Sequence, residues 1–362
     1  MYESTEYLPI LSLSPAEIMA FSELPDKDKK NLSPCIKLKG WLAAKDISNS
    51  ISKLESLGAG NVILDLDYEY VFENKDYLVS GSFPRPVYEQ LKALMDPTGG
   101  YKNWTEFVLS YDWCIPVIQT EEFDHVIEQC QTLTRSGRQF VIRFSLLDIE
   151  TGRWLGLINM LSGFDPCLII FDFGRIDSGT QKYNDIFLGW LEKARSIFPS
   201  ADFCISGSSF PDGFGGTENG ENPICERLLY NNLIKNFRGN LIYSDYASAR
   251  VKENRGGGGV PVPRIDFPLK NSWRYVRYRE GSIPNRTDQY RWAANEIMVK
   301  DYWQPELKVW GTQMIELTAQ GNDYAISTPM KSTAVRINIH LYNQLHYDEE
   351  LSEIDSDEDW ED

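Results

Sequence analysis

Eight short apolar runs, each separated from the next by an amphipathic stretch, recur along this chain of 362 residues and restrict the folds available to it. This alternation is typical of βα units arranged around a parallel sheet. Glycine ends several of the helical segments, at positions 58, 137 and 239, as expected of short connections from a helix to the next strand. The predicted strands are 7–13, 34–38, 61–67, 112–119, 139–145, 167–173, 202–206 and 240–245.

Eight strands of this kind favour a TIM-barrel-like (β/α)8 fold of the α/β class. An open doubly wound sheet is the alternative, but no G-x-G-x-x-G follows the first strand. Two stretches, at about 68–111 and 246–325, interrupt the alternation of strands and helices. They predict insertions after strands 3 and 8. The sequence thus predicts one elaborated barrel domain over residues 1–347.

The charge of the chain is uneven, because ten of its acidic residues lie in the tail 348–362. The net charge is −17 overall and −7 without this tail, which self-repulsion should leave disordered. An acidic protein disfavours nucleic acid and anionic membranes as partners. No run is long and apolar enough to span a membrane, and six scattered cysteines without a C-x-x-C pair indicate a reducing compartment. We therefore expect a cytoplasmic protein.

Polar residues follow the apolar part of six predicted strands. The carboxyl ends of barrel strands carry the active sites of TIM-barrel enzymes, so these residues are the candidates for a site. The catalytic candidates are Asp65, Asp67, Arg143, Asp172 and Asp245, and the binding candidates are Lys37, Lys39, Ser206 and Ser208.

Two interpretations of this set are open. In the first, the carboxylates converge on a substrate and the basic residues hold its anionic group. Such a site works either without a cofactor or with a divalent cation at Asp65, Asp67 and Asp172. Otherwise the same residues form buried ion pairs or cap helices. No zinc-protease, nucleophile-elbow or P-loop motif occurs, so whether the protein is an enzyme stays undecided.

Two further motifs lie beyond the eighth strand. Gly256–Gly259, flanked by Arg250, Lys252, Arg255 and Arg264, is either a mobile loop or a phosphate-binding loop for a small anionic ligand. Arginines and aromatic residues then interleave, and Trp, Tyr and Arg are the usual anchors of protein interfaces. The predicted partner-binding residues are Trp273, Arg274, Tyr275, Arg277 and Tyr278.

Several segments together resemble the beta protein family of phages, prophages and bacterial defence neighbourhoods. They are "YLPILSLSPAEIMAFSEL", "SPCIKL", "NVILDLD", "LIIFDFG", "YSDYAS", "RYVRYRE" and "STPMKSTAVRINIHLYNQ". The resemblance implies a TIM-barrel-like fold and a role in phage–bacterium conflict, as anti-phage defence or phage counter-defence. This chain departs from the family pattern at Lys37 and Lys39, where an acidic residue commonly closes the second strand. We expect binding of a protein partner, with a cation-assisted hydrolase of a phosphorylated or nucleotide substrate as the alternative.

Overall fold

Eight parallel strands, joined edge to edge, form the main sheet of the protein. The structure is a computed structural model that describes residues 5–213, 217–251, 261–279 and 281–350. The strands of the described residues are β1 (Tyr7–Ser12), β2 (Cys35–Leu38), β3 (Val62–Leu66), β4 (Cys114–Pro116), β5 (Val141–Phe144), β6 (Leu168–Arg175), β7 (Asp202–Ser208), β8 (Asn219–Pro223), β9 (Leu241–Asp245), β10 (Arg264–Pro268) and β11 (Ser272–Arg277).

The helices of the described residues mostly follow the strands one by one. They are α1 (Pro15–Ser22), α2 (Asp26–Lys30), α3 (Ser48–Glu55), α4 (Tyr68–Phe72), α5 (Lys75–Ser80), α6 (Pro86–Leu94), α7 (Thr98–Leu109), α8 (Val126–Arg135), α9 (Leu146–Glu150), α10 (Arg153–Met160), α11 (Asn184–Ile197), α12 (Cys225–Leu233), α13 (Arg286–Met298), α14 (Trp310–Gln320) and α15 (Pro329–Leu345). Short 3-10 helices lie at Phe123–His125 and Ser178–Tyr183.

The main sheet closes on itself. Its strand order is β4-β3-β2-β1-β9-β7-β6-β5, and a parallel bridge between Val117 and Val141 joins the two outer strands. The amide of Ile118 donates to the carbonyl of Val141 at 3.0 Å across this seam. The predicted eight-stranded barrel of the α/β class is therefore confirmed, and each predicted strand corresponds to one barrel strand.

Both faces of the barrel strands are covered, which explains their nearly continuous apolar sequences. Every residue of β3 and β9 is buried, including the polar residues Asp65, Ser244 and Asp245. The insertion predicted over 68–111 contains α4 to α7, and α7 packs against α6 and α8. A polar side chain on such a strand must find its partners inside the protein.

The described residues divide into two compact units. The barrel unit comprises the described residues within 5–14, 30–207 and 226–245, and the second unit comprises those within 15–29, 208–213, 217–225, 246–251, 261–279 and 281–350. The prediction of one domain over 1–347 stays a prediction. Residues 351–362, most of the predicted acidic tail, lie outside the described residues.

The second unit is built on a small antiparallel sheet. Its order is β10-β11-β8, so β11 is the central strand. The long helix α15 packs against α1, α14 and β10. Asn338 of α15 ties these helices together, because its Nδ2 donates to the carbonyl of Ala20 at 2.9 Å and its Oδ1 accepts from the amide of Gly311 at 2.9 Å.

Among the described residues, no helix is both long enough and apolar enough to cross a membrane.

Candidate functional site

The register of the barrel strands aligns polar residues near their carboxyl ends. Ser12 pairs with Lys37, and Lys37 pairs with Asp65, so these three side chains form a row across β1, β2 and β3. On the other side of the seam, Arg143 pairs with Ile170, two residues before Asp172. Because residues two apart on a strand share a face, Arg143 and Asp172 lie on the same face of the sheet.

The side chain of Arg143 extends from β5 past β4 to β3, and so connects Asp172 with the row that contains Asp65. Its Nη1 donates to Asp65 Oδ2 at 2.7 Å, and its Nη2 donates to Asp172 Oδ2 at 2.6 Å. Arg143 Nε adds a third bond to Asp172 Oδ2 at 3.0 Å. We call these three residues the Asp-Arg-Asp cluster. Both carboxylates are almost fully buried, and two carboxylates with one guanidinium give the cluster a formal charge of −1.

The remaining carboxylate oxygens of the cluster also have donors. Asp65 Oδ1 accepts from the amide of Leu66 at 2.8 Å and from Gln119 Nε2 at 3.3 Å. Asp172 Oδ1 accepts from the amide of Gly174 at 3.0 Å. All four carboxylate oxygens are thus hydrogen-bonded, as buried ionised groups require.

Gln119 is a member of this site that the sequence did not single out. It follows β4, and its main chain is held by Gln129 of α8, whose side chain accepts from the Gln119 amide at 2.9 Å and donates to the Gln119 carbonyl at 3.1 Å. The sequence pattern that could have indicated Gln119 is its position as the polar residue that ends the apolar run "CIPVIQ". It is neither charged nor a hydroxyl residue, unlike the predicted candidates.

Cysteine nucleophiles are disfavoured in this region. Burial, with the charge of Asp65 as the next cause, raises the pKa of Cys35 to about 12. Burial likewise raises the pKa of Cys204. Thiols of this kind stay protonated near neutral pH and are poor nucleophiles. No disulfide links the six cysteines, all of which lie in the described residues.

Asp67 and Asp245 lie apart from the cluster. Asp67 caps α4, because its Oδ1 accepts from the amide of Tyr70 at 2.9 Å. Asp245 accepts from the hydroxyls of Tyr7 and Tyr243, the latter at 2.8 Å. Burial, followed by the charge of Asp245, raises the pKa of both tyrosines. Arg227 of α12 stacks 3.3 Å from the centre of the Tyr243 ring, so Asp245 belongs to a structural contact with that helix.

The other binding candidates are placed as follows. Lys39 is buried and Lys37 is half-buried. Ser206 is fully buried, and its Oγ has no hydrogen-bond partner within the described ranges. Ser208 donates to the carbonyl of Ala249 at 2.7 Å and accepts from the amide of Phe210 at 3.2 Å, which shapes the turn after β7.

The metal candidates do not come together as a ligand set. Within the part of the chain that the structure describes, no three His, Cys, Asp or Glu side chains are grouped to hold a metal ion. The positive charge between Asp65 and Asp172 is the guanidinium of Arg143. Asp67 faces its own helix instead.

The aromatic residues of 273–278 are core residues. Trp273, Tyr275 and Tyr278 are buried, and the first two pack with Phe210 and Ile224. The physical reason is that this segment contains β11, the central strand of its sheet, which is covered more fully than an edge strand.

The two arginines of the same segment keep partial exposure. Arg274 pairs with Glu221 at 3.0 Å and lies 5.3 Å from the centre of the Tyr302 ring. Burial, with repulsion from Arg279 next, lowers the pKa of Arg277. Of the glycine-rich motif, Arg250 and Arg264 are described, whereas Lys252, Arg255 and Gly256–Gly259 lie outside the described residues.

The closed barrel of eight parallel strands, with a charged cluster at the strand ends, places this protein in the class of TIM-type α/β barrels. The sequence profile of the family described as "Beta protein" matches residues 7–346. The chain therefore belongs to the beta protein family, as its sequence predicted.

A curated relative matches over nearly the same length. The chain is 27% identical over 363 residues to "Protein beta" of Enterobacteria phage P4, covering 97% of this chain and 96% of the phage protein. Among solved structures, the tryptophan synthase alpha subunit from Campylobacter jejuni aligns with 67% of this chain and 88% of its own, at 10% identity and a TM-score of 0.34. That score carries no argument, and the barrel is established by the strand order itself.

Proposed function

We propose that this protein has a phage-related role, in phage–bacterium conflict, and that it acts by binding a protein partner at the mouth of its barrel. The phage P4 relative supports the phage-related part of the proposal. The Asp-Arg-Asp cluster supports binding over turnover, because each of its four carboxylate oxygens already accepts a hydrogen bond, from Arg143, from Gln119 or from a main-chain amide. A cytoplasmic location is part of the same proposal and agrees with six cysteines outside any disulfide.

The observation that carries the proposal is a set of exposed apolar residues in segments that follow barrel strands. Loops that follow strands lie at the mouth, the end of a barrel that binds ligands. Val79 is 89% exposed and Leu78 is 67% exposed, and exposed apolar side chains that form a contiguous patch mark protein interaction sites. We call this set the mouth rim, and it comprises Leu42 after β2, Phe72, Leu78 and Val79 after β3, and Leu147 after β5.

The helix that carries Leu78 and Val79 is anchored through Tyr77. No residue of α5 is buried. Tyr77 of α5 stacks on Phe83 with ring centres 4.2 Å apart, and Phe83 stacks on Tyr88 of α6 at 5.4 Å. Lys92 lies 5.2 Å from the centre of the Tyr77 ring. These contacts hold the helix in place while its apolar residues face solvent, and a preorganised surface loses less entropy on binding.

The test is capture of proteins from a lysate of phage-infected bacteria by the tagged full chain. We expect Leu78→Asp/Val79→Asp to reduce capture of the partner at least tenfold, because charged residues replace apolar anchors. The matched control is Val299→Asp in the second unit, where the valine is 77% exposed. Capture that survives the double substitution, or that is lost equally in the control, would contradict the mouth rim as the binding surface.

The hydrolase alternative needs carboxylates that are available to a cation or water, and here they are occupied by Arg143. It stays a prediction. Turnover of phosphorylated or nucleotide substrates by the purified protein, lost in Asp172→Asn with an unchanged melting temperature, would favour it over the binding role.

A further inference from the structure

The second unit contains a cavity of about 350 Å³ whose charged lining residues are mostly arginines. Such a volume lies at the lower end of small-molecule sites. The charged residues that line it are Arg250, Arg264, Arg336 and Glu17, and two turns of α15 form one wall. These residues come from four separate stretches of sequence, so the concentration of guanidinium groups is a product of the fold.

Arg336 is the most deeply placed of the three arginines. It is only 5% exposed, its Nη1 donates to Asp266 Oδ2 at 2.9 Å, and its guanidinium lies 4.2 Å from the centre of the Phe210 ring. Its Nε has no hydrogen-bond partner within the described ranges. A buried donor without an acceptor is costly, and a ligand oxygen would relieve that cost.

The carboxylates around the cavity do not balance the arginines. Asp266 pairs with two of the arginines, because Arg264 Nε lies 2.8 Å from its Oδ1 and Arg336 Nη1 lies 2.9 Å from its Oδ2. Arg250 donates to the neutral main-chain carbonyls of Pro211, at 3.2 Å, and Asp212, at 2.6 Å. Among the described residues, three guanidinium groups against Asp266 and Glu17 give a formal charge of +1.

This excess charge is unfavourable without a ligand. Burial lowers the pKa of Arg336 to about 10. Burial, followed by repulsion from Arg264, lowers the pKa of Arg250. An anion placed between these groups would favour their charged forms and so offset both effects.

The wall formed by α15 favours an anion as well. Pro329, Ser332 and Thr333 line the cavity from the first turns of this 17-residue helix. The amino-terminal end of a helix carries a partial positive charge and binds phosphate and carboxylate groups. The helix end and the arginines therefore act in the same direction.

We propose that this cavity binds a small organic phosphomonoester, whose phosphate group contacts the guanidiniums of Arg250, Arg264 and Arg336. Several guanidinium groups around one space match the several terminal oxygens of a phosphate, for which the planar arginine fork is well suited. A phosphate alone leaves much of the cavity unfilled, so the ligand carries an organic part that lies near Tyr290 and Glu17. The proposal is independent of the mouth rim, which belongs to the barrel unit.

The experiment is calorimetric titration of the full chain with inorganic phosphate, glycerol 3-phosphate, ribose 5-phosphate and adenosine monophosphate, with ribose and citrate as controls. We expect at least one phosphomonoester to bind more tightly than inorganic phosphate, and ribose not to bind. Arg250→Gln should weaken phosphomonoester binding at least tenfold. The control Arg291→Gln should change it less than twofold, because Arg291 also donates to a main-chain carbonyl, that of Ala319, but does not line the cavity.

Arg336→Lys provides a second variant that keeps the charge but loses the fork, and it should weaken binding with the fold retained by circular dichroism. Absence of binding by the wild-type protein would overturn the proposal, and so would binding that Arg250→Gln leaves unchanged. Citrate binding as tightly as the phosphomonoesters would reassign the cavity to carboxylates. If no phosphomonoester binds more tightly than inorganic phosphate, the proposed organic part of the ligand is overturned.

Discussion

Replacing Arg143 by Met should destabilise the barrel unit more than any single change to the carboxylates it binds. The guanidinium lies 2.7 Å from Asp65 and 2.6 Å from Asp172, and its removal leaves two buried carboxylates of like charge facing each other. Removing one partner of a buried ion pair costs about 3–5 kcal/mol. Because the Arg143 side chain is 15% exposed, we expect the lower end of that range, about 3 kcal/mol.

This loss should depend on pH in a defined direction. Two unpaired carboxylates in low dielectric favour taking up a proton, whereas carboxylates of the unfolded chain are ionised above about pH 4. The folded variant then binds more protons than the unfolded chain, so its stability falls as pH rises. One proton corresponds to about 1.4 kcal/mol per pH unit, and we expect the loss at pH 7 to exceed that at pH 5 by about 1–2 kcal/mol.

Urea denaturation followed by tryptophan fluorescence at both pH values measures this effect. Asp172→Asn is the matched control, because it leaves Arg143 paired with Asp65 and should cost less. The triple variant Arg143→Met/Asp65→Asn/Asp172→Asn should recover much of the stability, since no uncompensated charge remains. An Arg143→Met protein within about 1 kcal/mol of wild type at pH 7 would refute the reasoning, because that is well below the expected cost of breaking the pair.

Three smaller predictions test other parts of the molecule. Burial pushes the pKa of His346 down, but hydrogen bonds to Asp28 and Glu349 more than offset it and leave the pKa raised. Its stabilising contribution is therefore full below about pH 6.5 and lost as pH rises through the folded pKa, so thermal melts of His346→Gln should lack this pH dependence. Asp67→Ala, which removes the cap of α4, should cost about 1 kcal/mol in urea denaturation. Deletion of 351–362 removes seven acidic residues. It should raise the affinity for heparin at low salt and leave the melting temperature within about a degree. Unchanged heparin affinity would contradict a screening role for the tail.

The sequence alone determined the barrel and named all three members of the Asp-Arg-Asp cluster as candidates, without showing that they contact one another. Strand and helix periods are local properties, so eight apolar runs were enough to predict β1 to β7 and β9. The alternation of side chains along a strand also placed Asp65 and Asp67 on one face and showed that Asp172 ends an apolar run. The sequence could not show that α4 begins directly after β3 and turns Asp67 into its cap.

Tertiary structure decided the rest, because the deciding contacts join residues far apart in the chain. Asp245 and Ser244 are neighbours on opposite strand faces, and only the pairing of β1 with β9 brings Tyr7, 238 positions away, to Asp245 beside Tyr243. The alternating arginines and aromatic residues around Trp273 suit a partner surface and a central strand equally, and only the sheet order shows that they lie in a central strand. The sequence named Arg250 and Arg264 beside a possible anion-binding loop, but it could not show that Glu17 and Arg336, 319 positions apart, line the same cavity. Burial and charge balance are properties of the folded surroundings, which a local pattern does not contain.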